Sequence, residues 1–290
     1  MVLDWVTRTA YGGIPTGIRW TLQTRLDDLE YADDLCLFAH RLQDIRLKTE
    51  ALSAAANQVG LHINTNKTKV MRINSRQDGP VTVEGNPIED VQEFTYLGSL
   101  VSTTGGTDED VRTRIKKARQ VFAQLRPVWK SRIYSTNVKL RIFNSNVKSV
   151  LLYGSETWRL TKTIINRLQV FLNGCLRRIL NVRWFDRISN KTIWERASQD
   201  TIEVQIRKRK WKWIGHTLRK SDTNVTKTSL TWNPQGQRKR GRPATSWRRT
   251  TMAELQGNNM TWQQCATTSQ NRVRWRAVVD ALCHARGQED

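Results

Sequence analysis

Cysteine is scarce and scattered: the 290 residues hold four, Cys36, Cys175, Cys265 and Cys283, and none forms a CxxC pair. Cys283-His284 taken with Cys265 lacks zinc-finger or zinc-knuckle spacing, and His216 lies far off in sequence, so the pattern carries no zinc site. No apolar run approaches the roughly 20 residues a membrane helix needs, which removes a membrane partner from the expectations. The N-terminus lacks a charged segment followed by an apolar one, so the chain reads as not secreted. Reduced thiols in a nuclear or cytoplasmic setting are then the expectation. No fixed-period repeat is present.

What is present is a core and a charge. Hydrophobic residues make up 38% with 12 Trp, too apolar for a disordered chain, and the length allows two domains. Net charge is +22, unevenly spread: residues 1–100 hold 10 Lys/Arg against 13 Asp/Glu, and residues 101–290 hold 38 against 13. A near-neutral first third followed by a basic remainder suggests a compact module joined to a polyanion-binding region; a merely solvated basic surface is the bland alternative.

Residues 2–10 read as the end of a helix, broken by Gly12-Gly13 and Pro15. RLDDLEYADDLCLFA (25–39) reads as two strands meeting at a tight turn that holds Asp33 and Asp34. A helix follows with the stripe Leu42, Ile45, Leu52, Ala56 and Val59, stopped by Gly60. Short strands are expected at Leu61–Ile63 and Thr68–Ile73, then a hairpin over VTVEGNPI and an extended stretch EFTYLGSLVS. Thr103 to Thr107, with Gly105-Gly106, reads as the boundary. Beyond it, Thr107 and Asp110 approximate a capping box for a helix whose stripe is Val111, Ile115, Ala118, Phe122, Leu125 and Trp129. Arg112, Arg114, Lys116, Lys117 and Arg119 fall largely off that stripe, available to solvent or phosphate. Further helices are expected at 136–153, from Thr161 with Cys175 in its stripe, from Ser189, over 201–219, and near 244–256 and 269–284.

YADD places two adjacent carboxylates at a turn between apolar strands. Two-metal phosphoryl transfer needs carboxylates on a rigid support, holding two Mg²⁺ ions about 4 Å apart, and Asp suits so hard a cation. An Asp-Asp turn alone is common on surfaces, whereas one between LEYA and LCLFA is far more specific. With it, the chain resembles the reverse transcriptases of non-LTR (LINE-type) retrotransposons. Tyr31-Ala32-Asp33-Asp34 is similar to the family's palm motif C, GLHINTNKTKV (60–70) to motif D, and FTYLGSLVS (94–102) to motif E. VLDWVTRT resembles the helix after motif B, while LLYGSETW, RKWKWIGH and NRVRWRAVVDALC resemble the family's post-palm region.

The resemblance implies Asp33 and Asp34 as catalytic metal ligands and Mg²⁺ as cofactor of the complete enzyme. It implies Lys67 and Lys69 at the nucleotide, and Tyr96, Leu97 and Gly98 as the primer grip. Exposed strand lysines and an ordinary buried tyrosine are the alternatives for these. An RNA template and a DNA primer are the implied partners. The family also needs a motif A aspartate and a Gly-rich motif B, for which the 32 residues before Asp33 leave no room. Asp27 and Asp28 lie too close to serve as motif A. The chain alone is therefore expected to be catalytically incomplete, with Mg²⁺ binding weak or absent because nothing offsets the carboxylates' mutual repulsion.

The basic part has signals of its own. Besides Arg112, Lys116 and Lys117, the run RKRKWKW supplies Arg207, Lys208, Arg209, Lys210 and Lys212, interleaved with two indoles that either stack on bases or enter the core. QRKRGRPA supplies Arg238, Lys239, Arg240 and Arg242 and resembles an AT-hook core; a nuclear localisation signal or a solvated linker fits it equally. The fold class expected is α+β: a partial palm over 1–104, a helical thumb and connection over 105–230, a basic linker over 231–243 and a C-terminal helical region over 244–290. The alternative function is that of a non-catalytic nucleic-acid-binding protein derived from a decayed retroelement.

Overall fold

The computed structural model describes residues 2–12, 16–75, 77–233 and 245–284. They fall into two compact units, one formed by the described residues up to 105 with Trp232 and Asn233, the other by 106–231 with 245–284. The division lies at Gly105–Gly106, the stretch where the charge balance changes.

The first unit is built on two helices, α1 (Val2–Tyr11) and α2 (Leu42–Gln58). Their apolar faces meet through Val6, Ala10, Tyr11, Leu52, Ala55 and Ala56. Gly60, at φ +72°, ends α2: Leu61 N–H turns back to Ala56 O at 3.0 Å. Ten short strands follow the chain: β1 (Ile18–Arg19), β2 (Arg25–Leu26), β3 (Asp28–Tyr31), β4 (Asp34–Leu37), β5 (Lys69–Val70), β6 (Thr82–Val83), β7 (Asn86–Pro87), β8 (Glu89–Asp90), β9 (Glu93–Tyr96) and β10 (Ser99–Ser102). They form five two-stranded pieces among the described residues: β1–β2, β3–β4, β6–β7 and β9–β10 antiparallel, β5–β8 parallel.

Two of the sequence expectations change here. Leu61–Ile63 is not a strand, and Thr68–Ile73 contracts to Lys69–Val70. EFTYLGSLVS is not one extended stretch but a hairpin, because Leu97 and Gly98 both take positive φ (+47° and +77°). That is the two-residue turn whose twist matches the flanking strands, and Glu84-Gly85 makes another between β6 and β7.

The second unit is helical. Its elements are α3 (Asp108–Gln124), α4 (Arg126–Lys130), α5 (Thr136–Ile142), α6 (Ser149–Leu151), α7 (Lys162–Ile179), α8 (Asn190–Arg196), α9 (Ile202–Leu218), α10 (Val225–Ser229), α11 (Trp247–Gln256), α12 (Trp262–Ser269) and α13 (Arg272–His284). A π-helix, Phe143–Lys148, interrupts the segment expected as one helix over 136–153. The stripe of α3 runs on past Leu125, where the helix breaks and restarts with Pro127 in its first turn; Phe122 and Trp129 stack at 5.0 Å across the break. Thr107 and Asp110 do not form a capping box. Thr107 Oγ1 accepts from Arg159 N–H at 2.9 Å, and Asp110 accepts from the buried Trp158 indole at 2.9 Å, so both tie α3 to a distant segment instead.

Two apolar clusters share α9. Ile202 and Ile206 belong to the first, with Val111, Phe122, Leu168 and Leu172; Trp211, Ile214 and Leu218 belong to the second, with Leu255, Trp275 and Val279. The C-terminal helices thus complete a core with α9 inside the second unit. Gly215 on α9 is pressed so closely by the Trp275 indole that a Cβ there would lie 1.9 Å from Nε1. At the junction Glu254 is buried; it accepts from Lys210 Nζ at 2.6 Å and from the Trp211 indole at 2.7 Å. Removing one partner of such a pair strands a charge in the interior, so Glu254→Ala is expected to cost about 3–5 kcal/mol. Lys210→Met combined with Glu254→Gln, which keeps the indole bond, should recover much of it. Urea unfolding at pH 7 measures both.

Candidate functional site

The hairpin β3–β4 pairs Asp28 with Leu37, Leu29 with Cys36, Glu30 with Leu35 and Tyr31 with Asp34. Strand alternation puts Asp28, Glu30, Leu35 and Leu37 on one face and Leu29, Tyr31, Asp34 and Cys36 on the other. Leu35 and Leu37 pack on the α1–α2 core, which turns the first face inward. Ala32, at φ +54°, opens the turn. Asp33 sits at the tip and Asp34 begins β4, both exposed. The two carboxylates are therefore presented to solvent on a short hairpin.

What holds that hairpin was not among the expected site residues. Lys48, on α2 and only 2% exposed, sends its ammonium to Asp27 Oδ1 at 2.6 Å, Phe38 O at 2.9 Å and Asp27 O at 3.2 Å. It thus ties α2 to the residues that flank both strands. The signal was available: a lysine three residues after Ile45 and four before Leu52 lies on the helix's buried stripe. On the inward face, burial and then the neighbouring Glu30 charge push the Asp28 carboxyl up to about 6, against the opposing pull of Lys48. The buried Tyr11 hydroxyl faces the same acids; burial and then the Asp28 and Glu30 charges raise its pKa.

Of the three residues expected as a primer grip, Tyr96 comes to the hairpin: its hydroxyl donates to Leu29 O at 3.3 Å. Burial, then Cys36 and Asp34, raise its pKa. Leu97 and Gly98 form the adjoining turn. Lys67 is exposed in the turn after Asn64, while Lys69 is engaged across β5–β8 by Glu89 at 2.5 Å. No group of three or more His, Cys, Asp or Glu is disposed to hold a metal among the described residues. Mg²⁺ demands near-octahedral oxygen ligation, and Asp33 with Asp34 does not by itself make the two-metal site that the resemblance implies.

The cations of the second unit divide sharply. Lys116, Lys117 and Arg119 are exposed on α3, and Arg112 is exposed but paired with Glu109 at 2.5 Å. Arg114 is buried, its guanidinium 4.4 Å from the Tyr153 ring centroid, so it leaves the group facing solvent. In the 207–213 run the expectation needs correction. Lys210 is 1% exposed and held by Glu254, and buried Arg207 pairs with Glu203, so neither reaches a phosphate. Lys208 pairs with Asp200 at 2.9 Å and Arg209 lies 3.7 Å from Glu156; Lys212 is exposed. The indole of Trp211 is core, and Trp213 packs against the same cluster. Arg238, Lys239, Arg240 and Arg242 lie outside the described residues. No described helix is long and apolar enough to cross a membrane.

Over 279 residues the chain is 27% identical to an uncharacterized transposon-derived protein of Caenorhabditis elegans, a match covering 88% of this chain and 95% of that protein. The similarity supports a transposon origin. Residues 121–153, from the end of α3 through the π-helix, match a domain of unknown function, DUF6451.

The raised Asp28 carboxyl has a stability consequence. A carboxyl whose folded pKa exceeds its unfolded one favours the fold below the unfolded value, and that contribution is lost as pH rises through the folded value of about 6. Asp28→Asn should therefore stabilise the first unit at pH 8, with the advantage shrinking to nothing by pH 4. Urea midpoints of the two proteins across that range test this.

Proposed function

We propose that this chain is the C-terminal portion of a LINE-type reverse transcriptase: a partial palm followed by a thumb and a basic helical tail. The observation that carries the reading is the exposed Asp33–Asp34 turn with the Tyr96 hydroxyl bonded to the same hairpin. Motifs C and E, distant in sequence, are expected to meet in a palm. The similarity to a transposon-derived protein agrees with it. In the complete enzyme the reaction is RNA-directed DNA synthesis, with RNA template and DNA primer lying along the exposed cations of α3. In this reading the exposed Lys67 meets the triphosphate, and Lys69 first leaves Glu89.

A second reading has its own support. The donor set at Asp33 and Asp34 lacks a third acid among the described residues, which favours a non-catalytic nucleic-acid-binding protein from a decayed retroelement. Both readings place the protein on nucleic acid; they differ in whether the hairpin ever does chemistry.

Primer extension on an RNA template separates them. The chain alone, with Mg²⁺ or Mn²⁺, is expected to give no product. Fused to an upstream segment bearing a motif A aspartate and motif B, it should extend the primer, and Asp33→Ala should abolish that product. A fusion that folds and binds template yet gives nothing favours the second reading. Asp33-dependent product from the chain alone would contradict the argument that the site is incomplete.

A further inference from the structure

The second unit contains nine tryptophans, and eight are buried or half-buried; Trp184 is 89% exposed. Leaving so large an apolar side chain in water forgoes burial worth roughly 1.5–3 kcal/mol, so its position needs a cause. Floppiness is not that cause, because the loop is well tied. Trp184–Asp186 is a single 3₁₀ turn, closed by Arg183 N–H donating to Asp186 Oδ2 at 2.6 Å and Asp186 N–H donating to Arg183 O at 3.2 Å. On either side Val182 and Ile188 pack into the first core. Arg177 fixes both ends: its carbonyl accepts from Val182 N–H at 2.8 Å and its guanidinium donates to Ile188 O at 2.7 Å. Phe185, 55% exposed, meets the indole edge-to-face at 5.8 Å, with the Arg183 guanidinium 5.8 Å from the Phe185 ring centroid.

The surroundings are cationic. Residues 177–196 carry six Lys/Arg against two carboxylates, and Arg178, Arg183, Arg187, Lys191 and Arg196 are all exposed. An open indole, braced by a second ring in a segment rich in exposed cations, suits a ligand that offers flat π-faces and phosphates together. In a duplex those faces are covered by neighbouring pairs; in a single strand they are open. We propose that Trp184 and Phe185 form a base-stacking site for single-stranded nucleic acid. This deepens the nucleic-acid reading above and rests on it.

The test uses the full chain and two probes: a labelled single strand of about 12 nucleotides, within the span of known single-strand sites, and a duplex of the same length. A base stacked on an aromatic ring is worth about 1–3 kcal/mol, so Trp184→Ala should weaken single-strand binding by about 5- to 150-fold. Trp184→Phe should keep most of the affinity, and duplex binding should change little. With an abasic single strand, which keeps the phosphates and loses the rings, Trp184→Ala should have no further effect. Trp184→Ala that leaves single-strand affinity unchanged, as a protein-docking tryptophan would, overturns the proposal while leaving nucleic-acid binding intact. Equal losses on single strand, duplex and abasic strand overturn it as well. Wild-type protein that binds none of the probes overturns both this site and the reading beneath it.

Discussion

The junction of the helical unit's two apolar clusters depends on the buried Glu254 carboxylate. Glu254, on α11, accepts from both Lys210 and the Trp211 indole of α9, and α9 is the helix that both apolar clusters share. One turn earlier on α9, Ile206 belongs to the cluster that α3 and α7 build; one turn later, Ile214 belongs to the one that α13 joins. Loosening the Glu254 contact would leave Lys210, 1% exposed, without its counter-charge in the interior. Burial already lowers the pKa of that ammonium, with Glu254 pulling the other way. The arrangement tolerates the charge only because the carboxylate is there.

That constraint redistributes function. In the run that looks most like a phosphate-binding site, Arg207 and Lys210 are buried and Lys208 and Arg209 face carboxylates; exposed cations include Lys212 of that run, Lys116, Lys117 and Arg119 on α3, and the arginines next to Trp184 in sequence. The first unit shows the same economy on a smaller scale. Its strands are short and paired only in twos among the described residues, so the Asp33–Asp34 hairpin leans on α2 through Lys48 and on the core through Leu35 and Leu37. A buried lysine and the Asp27 carboxylate beside it keep a charged hairpin in place.

Where the chemistry was local, the sequence was readable. The stripe of α3 buries Val111, Ala118 and Phe122 as its spacing implies, Cys175 sits in the core of α7, and YADD lies at a tight turn between strands. Where a residue's partner lies far along the chain, it was not. Nothing near Lys210 points to Glu254, 44 positions on, and nothing near Thr107 points to Arg159. The turn at Leu97-Gly98 was hidden because leucine rarely takes positive φ. Of the site, Asp33, Asp34 and Tyr96 could be picked out from motif resemblance; Lys48, which positions the hairpin, showed only as a polar residue on an apolar stripe.

Both functional readings rest on a folded basic unit that neutralises phosphates. The most direct test is the affinity of the intact chain for duplex DNA between low and physiological salt. The account predicts that log K falls linearly with log salt, with a slope of about 0.9 for each phosphate neutralised and several phosphates in all. An affinity that stays flat across that range would contradict it.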